Sequence, residues 1–160
     1  MNQQQIKNLI KIWYGRQNSE NDYFIKFFML WICFNAWLEY RSKMNRDADM
    51  LNWLIKQTSQ NSDLISAYES KKKSNKASFQ DSIKWLIKSC PISDSRGQRP
   101  DINIRNENDF ENIIWAIYRI RCNLFHGSKQ PNDSRDQKLV VFATNILNHW
   151  IACLISSWGN

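Results

Sequence analysis

The sequence predicts an all-α fold, an up-and-down helical bundle of about five to seven helices in a single domain. Three observations predict it. Apolar residues return every three or four positions in segment after segment, which is the period of a helix. Only four glycines and three prolines interrupt 160 residues, so helices can run long. No segment alternates apolar and polar residues as a half-buried strand would. A chain of this length can also bury a real core.

The elements follow in order. Gln3 to Tyr14 places Ile6, Leu9, Ile10 and Trp13 at helical spacing, with Gly15 as the expected stop. Ser19 to Asp22 offers N-cap residues for a second helix, from about Asp22 to Lys43. Between Tyr23 and Leu38 that helix is apolar almost all round, as befits a central helix or one that also meets a subunit. Asn35 is its odd residue, either a hydrogen-bonded core amide or a group that orients a neighbouring helix. Asp47 to Gln57 predicts a third helix with Leu51, Leu54 and Ile55 inward, and Ser62 to Tyr68 a short fourth. Lys71, Lys72, Lys73 and Lys76 mark a basic loop, either a solvated turn or a phosphate-binding patch beside RNA.

Ser78 to Lys88 predicts another helix, ended by Pro91 because the residue before proline leaves helical geometry. Residues 91–108 form one long irregular segment carrying Arg96, Arg99 and Arg105. Its length suggests a flexible loop or a substrate-binding flap. Asn108 with Glu111 resembles a capping box for the helix that follows. The last helix is expected from Asp133 or Ser134 to about Ser157. It is rich in apolar residues, but Thr144, Asn145, Asn148 and His149 argue against a membrane span.

Composition narrows the function. A formal net charge of +7 favours polyanionic partners such as nucleic acid. The four cysteines, at 33, 90, 122 and 153, form no C-x-x-C pair, and there are only two histidines, so a zinc site is not expected. Free thiols and an N-terminus without a signal-peptide core suit a cytoplasmic protein. There is no glycine-rich phosphate loop and no nucleophile elbow.

The chemistry concentrates in Trp115 to Lys129, WAIYRIRCNLFHGSK. Ile113, Ile117, Ile120 and Leu124 should face a core. Trp115, Arg119, Cys122 and His126 form a second row, which suggests a contact surface with chemistry in it. Gly127 suits the position just past a helix, leaving His126 on the last turn, where the helix dipole favours the protonated ring. His149, within the apolar last helix, is expected to be a core or interface residue.

The run Arg121-Cys-Asn-Leu-Phe-His126 followed by Gly127 resembles the R-x(4–6)-H signature of the HEPN superfamily. The stretch from Lys129 through Pro131-Asn-Asp-Ser-Arg-Asp136 into an apolar helix is similar to that of several bacterial members, as is Trp31-Ile-Cys-Phe-Asn35-Ala. The resemblance implies an all-helical, metal-independent endoribonuclease without a cofactor. It implies a homodimer with a composite active site, in bacterial defence or a toxin–antitoxin system, where an antitoxin or defence-complex partner is expected. A non-catalytic HEPN module that binds RNA or a protein is the alternative, and a plain helical interaction bundle a third. The control seen in one branch, modification of a tyrosine two residues past the histidine, is not expected, because Ser128 stands there.

Histidine suits proton transfer near neutral pH, and arginine presents a fork of donors to phosphate oxygens. Together they suffice in kind for attack of an RNA 2′-hydroxyl on the adjacent phosphate. The resemblance assigns Arg121 and His126 to catalysis, with Asn123, Arg119 and Asn35 in support and Lys129, Lys71, Lys72 and Lys73 on the RNA. The choice of arginine stays open. Arg121 and His126 stand about 140° apart on an ideal helix, whereas Arg119 and His126 are nearly eclipsed.

Overall fold

The structure, a computed structural model, describes residues 1–57, 77–126 and 133–158. Among these residues the fold is all-helical, with six helices. The expected short helix at Ser62 to Tyr68 and the basic loop at Lys71 to Lys76 lie outside the described residues.

Helix α1 (Gln3–Asn18) opens with a reciprocal cap. Asn2 accepts from the Gln5 amide, and the Gln5 side chain accepts from the Asn2 amide. The helix does not stop at Gly15. It continues for another turn, because Gln17 is buried and donates to Asn148 at 3.1 Å. A tertiary contact has overridden a local stop signal.

Helix α2 (Tyr23–Ser42) is capped by Asp22, which accepts from the Phe24 and Ile25 amides, and ends on Lys43 in the left-handed region. It lies against both α1 and the last helix. Phe27, Leu30, Cys33, Phe34 and Leu38 are buried, and the Cys33 thiol donates to the Ile10 carbonyl. Helix α3 (Asp47–Gln57) buries Met50, Leu51 and Leu54. Met50 occupies the inward place expected for Ile55, which is only half-buried.

Helix α4 (Ala77–Lys88) runs antiparallel to the last helix, α6 (Ser134–Ser157). The register is fixed by Asn145 donating to Ser82 at 3.1 Å and by the His149 ring edge on Phe79 at 5.2 Å. Arg135 closes the other end by donating to the Ser89 and Pro91 carbonyls. His149 is thus half-buried inside the fold. Asp133 caps α6 through the Arg135 and Asp136 amides. By length and composition α6 could cross a membrane, but half of its apolar window is buried in the bundle. Its Leu139, Ala143, Ile146, Leu147 and Trp150 join the same core as α1 and α2.

Helix α5 (Phe110–Phe125) carries the motif. Ile113, Ile117 and Ile120 are buried as the spacing predicts, and Leu124 is half-buried. The expected capping box at Asn108 and Glu111 does not form. Asp109 is the N-cap, and its carboxylate makes no cap bond because Arg105 and Asn112 occupy it.

Candidate functional site

The second face of α5 is covered rather than open. Residues 91–108 fold back over it, so Arg119 and Cys122 are 6% exposed. The segment closes on itself through a paired Ile92–Ile102 bridge, with both backbone hydrogen bonds made. Ile92 and Ile104 then enter the core. This segment lies as a flap against α5.

Two side chains of α5 hold it. The Asn123 amide donates to the Ser93 carbonyl at 3.0 Å and accepts from the Ser95 amide at 3.0 Å. Arg119 donates to the Pro100 carbonyl at 3.2 Å. A buried asparagine satisfied on both sides acts as a clasp. Between the two pins, Asp94 to Gly97 make a tight turn. The Gly97 amide donates to the Asp94 carbonyl, with Gly97 at a φ of +63°. Some desolvation pushes the Asp94 carboxyl up. The Gln98 and Arg96 amides and the charge of Arg119 outweigh it and leave the group below its ordinary value.

The turn presents Arg96, which follows the clasped Ser95. Its guanidinium lies 2.6 Å from Nδ1 of His126. A guanidinium has only donors, so Nδ1 accepts and the ring hydrogen in this contact sits on Nε2. The sequence favoured the protonated ring on the last helical turn. The structure makes His126 the C-cap residue, exposed, with its amide on the Cys122 carbonyl.

Arg121 points elsewhere. Its Nη2 pairs with Asp47 at 3.2 Å, and its guanidinium lies over the Phe125 ring at 4.4 Å and the Trp31 ring at 5.7 Å. Its Nε is buried without a hydrogen-bond partner among the described residues. No hydrogen bond joins Arg121 to His126. Arg119, the alternative, is buried under the flap and occupied by a carbonyl. Asn35 lies one turn after Trp31 on α2. Its Oδ1 is buried, with no hydrogen-bond partner among the described residues. Lys71, Lys72, Lys73 and Lys129, with Gly127 and Ser128, lie outside the described residues.

A cleft of about 330 Å³ opens between flap and helix, beside Arg99, Trp115 and Tyr118. Burial, and then the neighbouring Cys122 thiol, push the Tyr118 hydroxyl up, while Arg99 pulls it the other way. Among the described residues no group of three or more His, Cys, Asp or Glu side chains converges.

Sequence reasoning missed both partners, Arg96 for His126 and Asp47 for Arg121. The Asp94-Ser-Arg-Gly97 turn was visible as a turn signature. Nothing local in the sequence announces contacts across 30 residues or across 74. The chain matches no family model, no curated protein and no solved structure.

Proposed function

We propose that this protein is a metal-independent endoribonuclease of the HEPN type, acting on single-stranded RNA as a homodimer. The observation that carries the reading is the exposed His126 with a guanidinium on its ring nitrogen at 2.6 Å. An imidazole that can exchange a proton and an adjacent arginine are the kinds of group that RNA transesterification uses near neutral pH.

In the reaction, the RNA 2′-hydroxyl gives its proton to one imidazole as O2′ bonds to phosphorus. The P–O5′ bond breaks, and O5′ takes a proton from the imidazolium of a second copy. One ring gains a proton and the other loses one. The products are a 2′,3′-cyclic phosphate and a 5′-hydroxyl. One copy supplies one such histidine, so the composite site needs two. An apolar patch next to His126 supports association there. Phe125 is 53% exposed and packs edge-on against Phe28 of α2, with the exposed Ile25 and Ile32 on the same helix. Bacterial defence or toxin–antitoxin control, with an antitoxin or complex partner, is the setting that the motif resemblance suggests.

The test is RNA cleavage by purified protein in EDTA, beside His126→Ala, Arg121→Ala and Arg119→Ala, with mass measured in solution. Cleavage by a dimer, lost in His126→Ala without loss of fold, is the expected result. Salt-dependent RNA binding without cleavage assigns the chain to the non-catalytic module instead.

A further inference from the structure

We propose that Arg96, on the flap, is the phosphodiester-binding residue of this site, and that RNA phosphate draws it off His126. The proposal deepens the ribonuclease reading, on which it rests for the identity of the anion.

The site is built for this contact. Asn123 stands one helical turn before His126. It holds Ser93 and Ser95 from both sides, so the next residue, Arg96, is delivered to the ring. The tight turn at Gly97 then carries the chain away. One turn of α5 thus supplies both the histidine and the clasp that brings it an arginine.

The neighbouring arginines are otherwise engaged. Arg121 is paired with Asp47, Arg105 with Asp109, and Arg119 and Arg135 with backbone carbonyls. Arg96 is exposed and has no carboxylate partner among the described residues. The nearest acid in sequence, Asp94, spends its carboxylate on the turn, accepting from the Gln98 amide. The acceptor Arg96 does hold, an imidazole nitrogen, is neutral. A phosphate group is anionic and can take two parallel N–H···O bonds from the guanidinium fork, which a single ring nitrogen cannot. Bound phosphate therefore displaces the ring, and Nδ1 is released beside the group whose neighbouring hydroxyl must lose a proton. Resting protein keeps that nitrogen occupied.

The experiment reads the ring directly. The chain has two histidines, so imidazole nitrogen NMR resolves His126 once His126→Ala identifies its signals. The probe is a short oligodeoxythymidylate, which has the phosphates but no 2′-hydroxyl and cannot be cut by this route. In the parent protein, His126 is expected as the Nε2–H tautomer, and the oligonucleotide is expected to shift the Nδ1 resonance. In Arg96→Ala the tautomer preference relaxes and affinity falls about tenfold, the size of one charged hydrogen bond. The salt dependence should flatten by about 0.7 in slope, as expected when one single-strand phosphate contact is lost. Arg96→Lys should recover part of the affinity without the tautomer preference. Unchanged Nδ1 resonance and affinity in Arg96→Ala overturn the proposal, even where RNA is still cut. A ring that responds as described, in a protein that cuts no RNA, keeps the anion site and removes the nuclease.

Discussion

Arg121 Nη2 stands 3.2 Å from Asp47 Oδ2, which ties this arginine of α5 to the first residue of α3. Both side chains are about three-quarters buried, at 25% and 21% exposed. Asp47→Ala leaves the guanidinium with the Phe125 and Trp31 rings and a long contact to the Cys122 sulfur at 4.0 Å. The expected cost is about 1–2 kcal/mol, between the limits for exposed and buried pairs. Urea unfolding checks it through the midpoint at unchanged slope. An unmoved midpoint would mean that the contacts other than Asp47 suffice to hold Arg121.

Asn123→Ala removes both hydrogen bonds of the clasp. Its two backbone partners in the flap lose their acceptor and donor, for a cost of roughly 2–3 kcal/mol in all. Amide exchange distinguishes a local from a global effect. The Ser95 amide, which donates to Asn123, should lose protection before the core amides of α2 do. If Ser95 exchanges at the parent rate, other contacts hold the flap and the clasp is incidental.

The stability of the flap's C-terminal anchor should depend on pH. Hydrogen bonds from the Arg105 side chain, ahead of those from the Arg105 and Asn112 amides, hold the Asp109 carboxyl well below the ordinary carboxylate range against the effect of burial. A depressed folded-state value gives stabilisation that is present above the unfolded carboxylate value, about 4, and lost as pH falls below it. The parent should therefore weaken progressively on acidification below about pH 4. Asp109→Asn should flatten that part of the curve. Thermal melts from pH 2 to 6 are the measurement, and parallel curves for the two proteins would refute the assignment.

The helices were legible because their signals are local. Asp22 and Asp133 cap α2 and α6 as their side chains permit, and the apolar spacing of α5 fixes which face enters the core. Gly15 misled because helix length there is decided by Gln17 bonding to Asn148, 131 residues away. The candidate site was legible only in part. His126 and Asn123 stood out as residues, but their partners lie on a flap whose path is set by the pins on α5. An irregular segment rich in arginine gives no sign of whether it is free or held. Cys122 and Arg119 looked like an exposed chemical row because nothing in their spacing reveals what covers them.

Asn35 separates structure from function on a single side chain. Its Oδ1 is buried without a hydrogen bond among the described residues, one turn beyond the Trp31 ring that lies near Arg121. An unsatisfied buried carbonyl costs stability, and an apolar residue of similar size removes that cost. Asn35→Leu should therefore leave the fold intact and raise its stability by between zero and about 2 kcal/mol. Functional sites commonly carry residues that cost stability. If Asn35 orients the motif, Asn35→Leu should lose RNA cleavage or RNA binding while its unfolding midpoint rises. A lowered midpoint would show that the amide is satisfied in solution and belongs to the core.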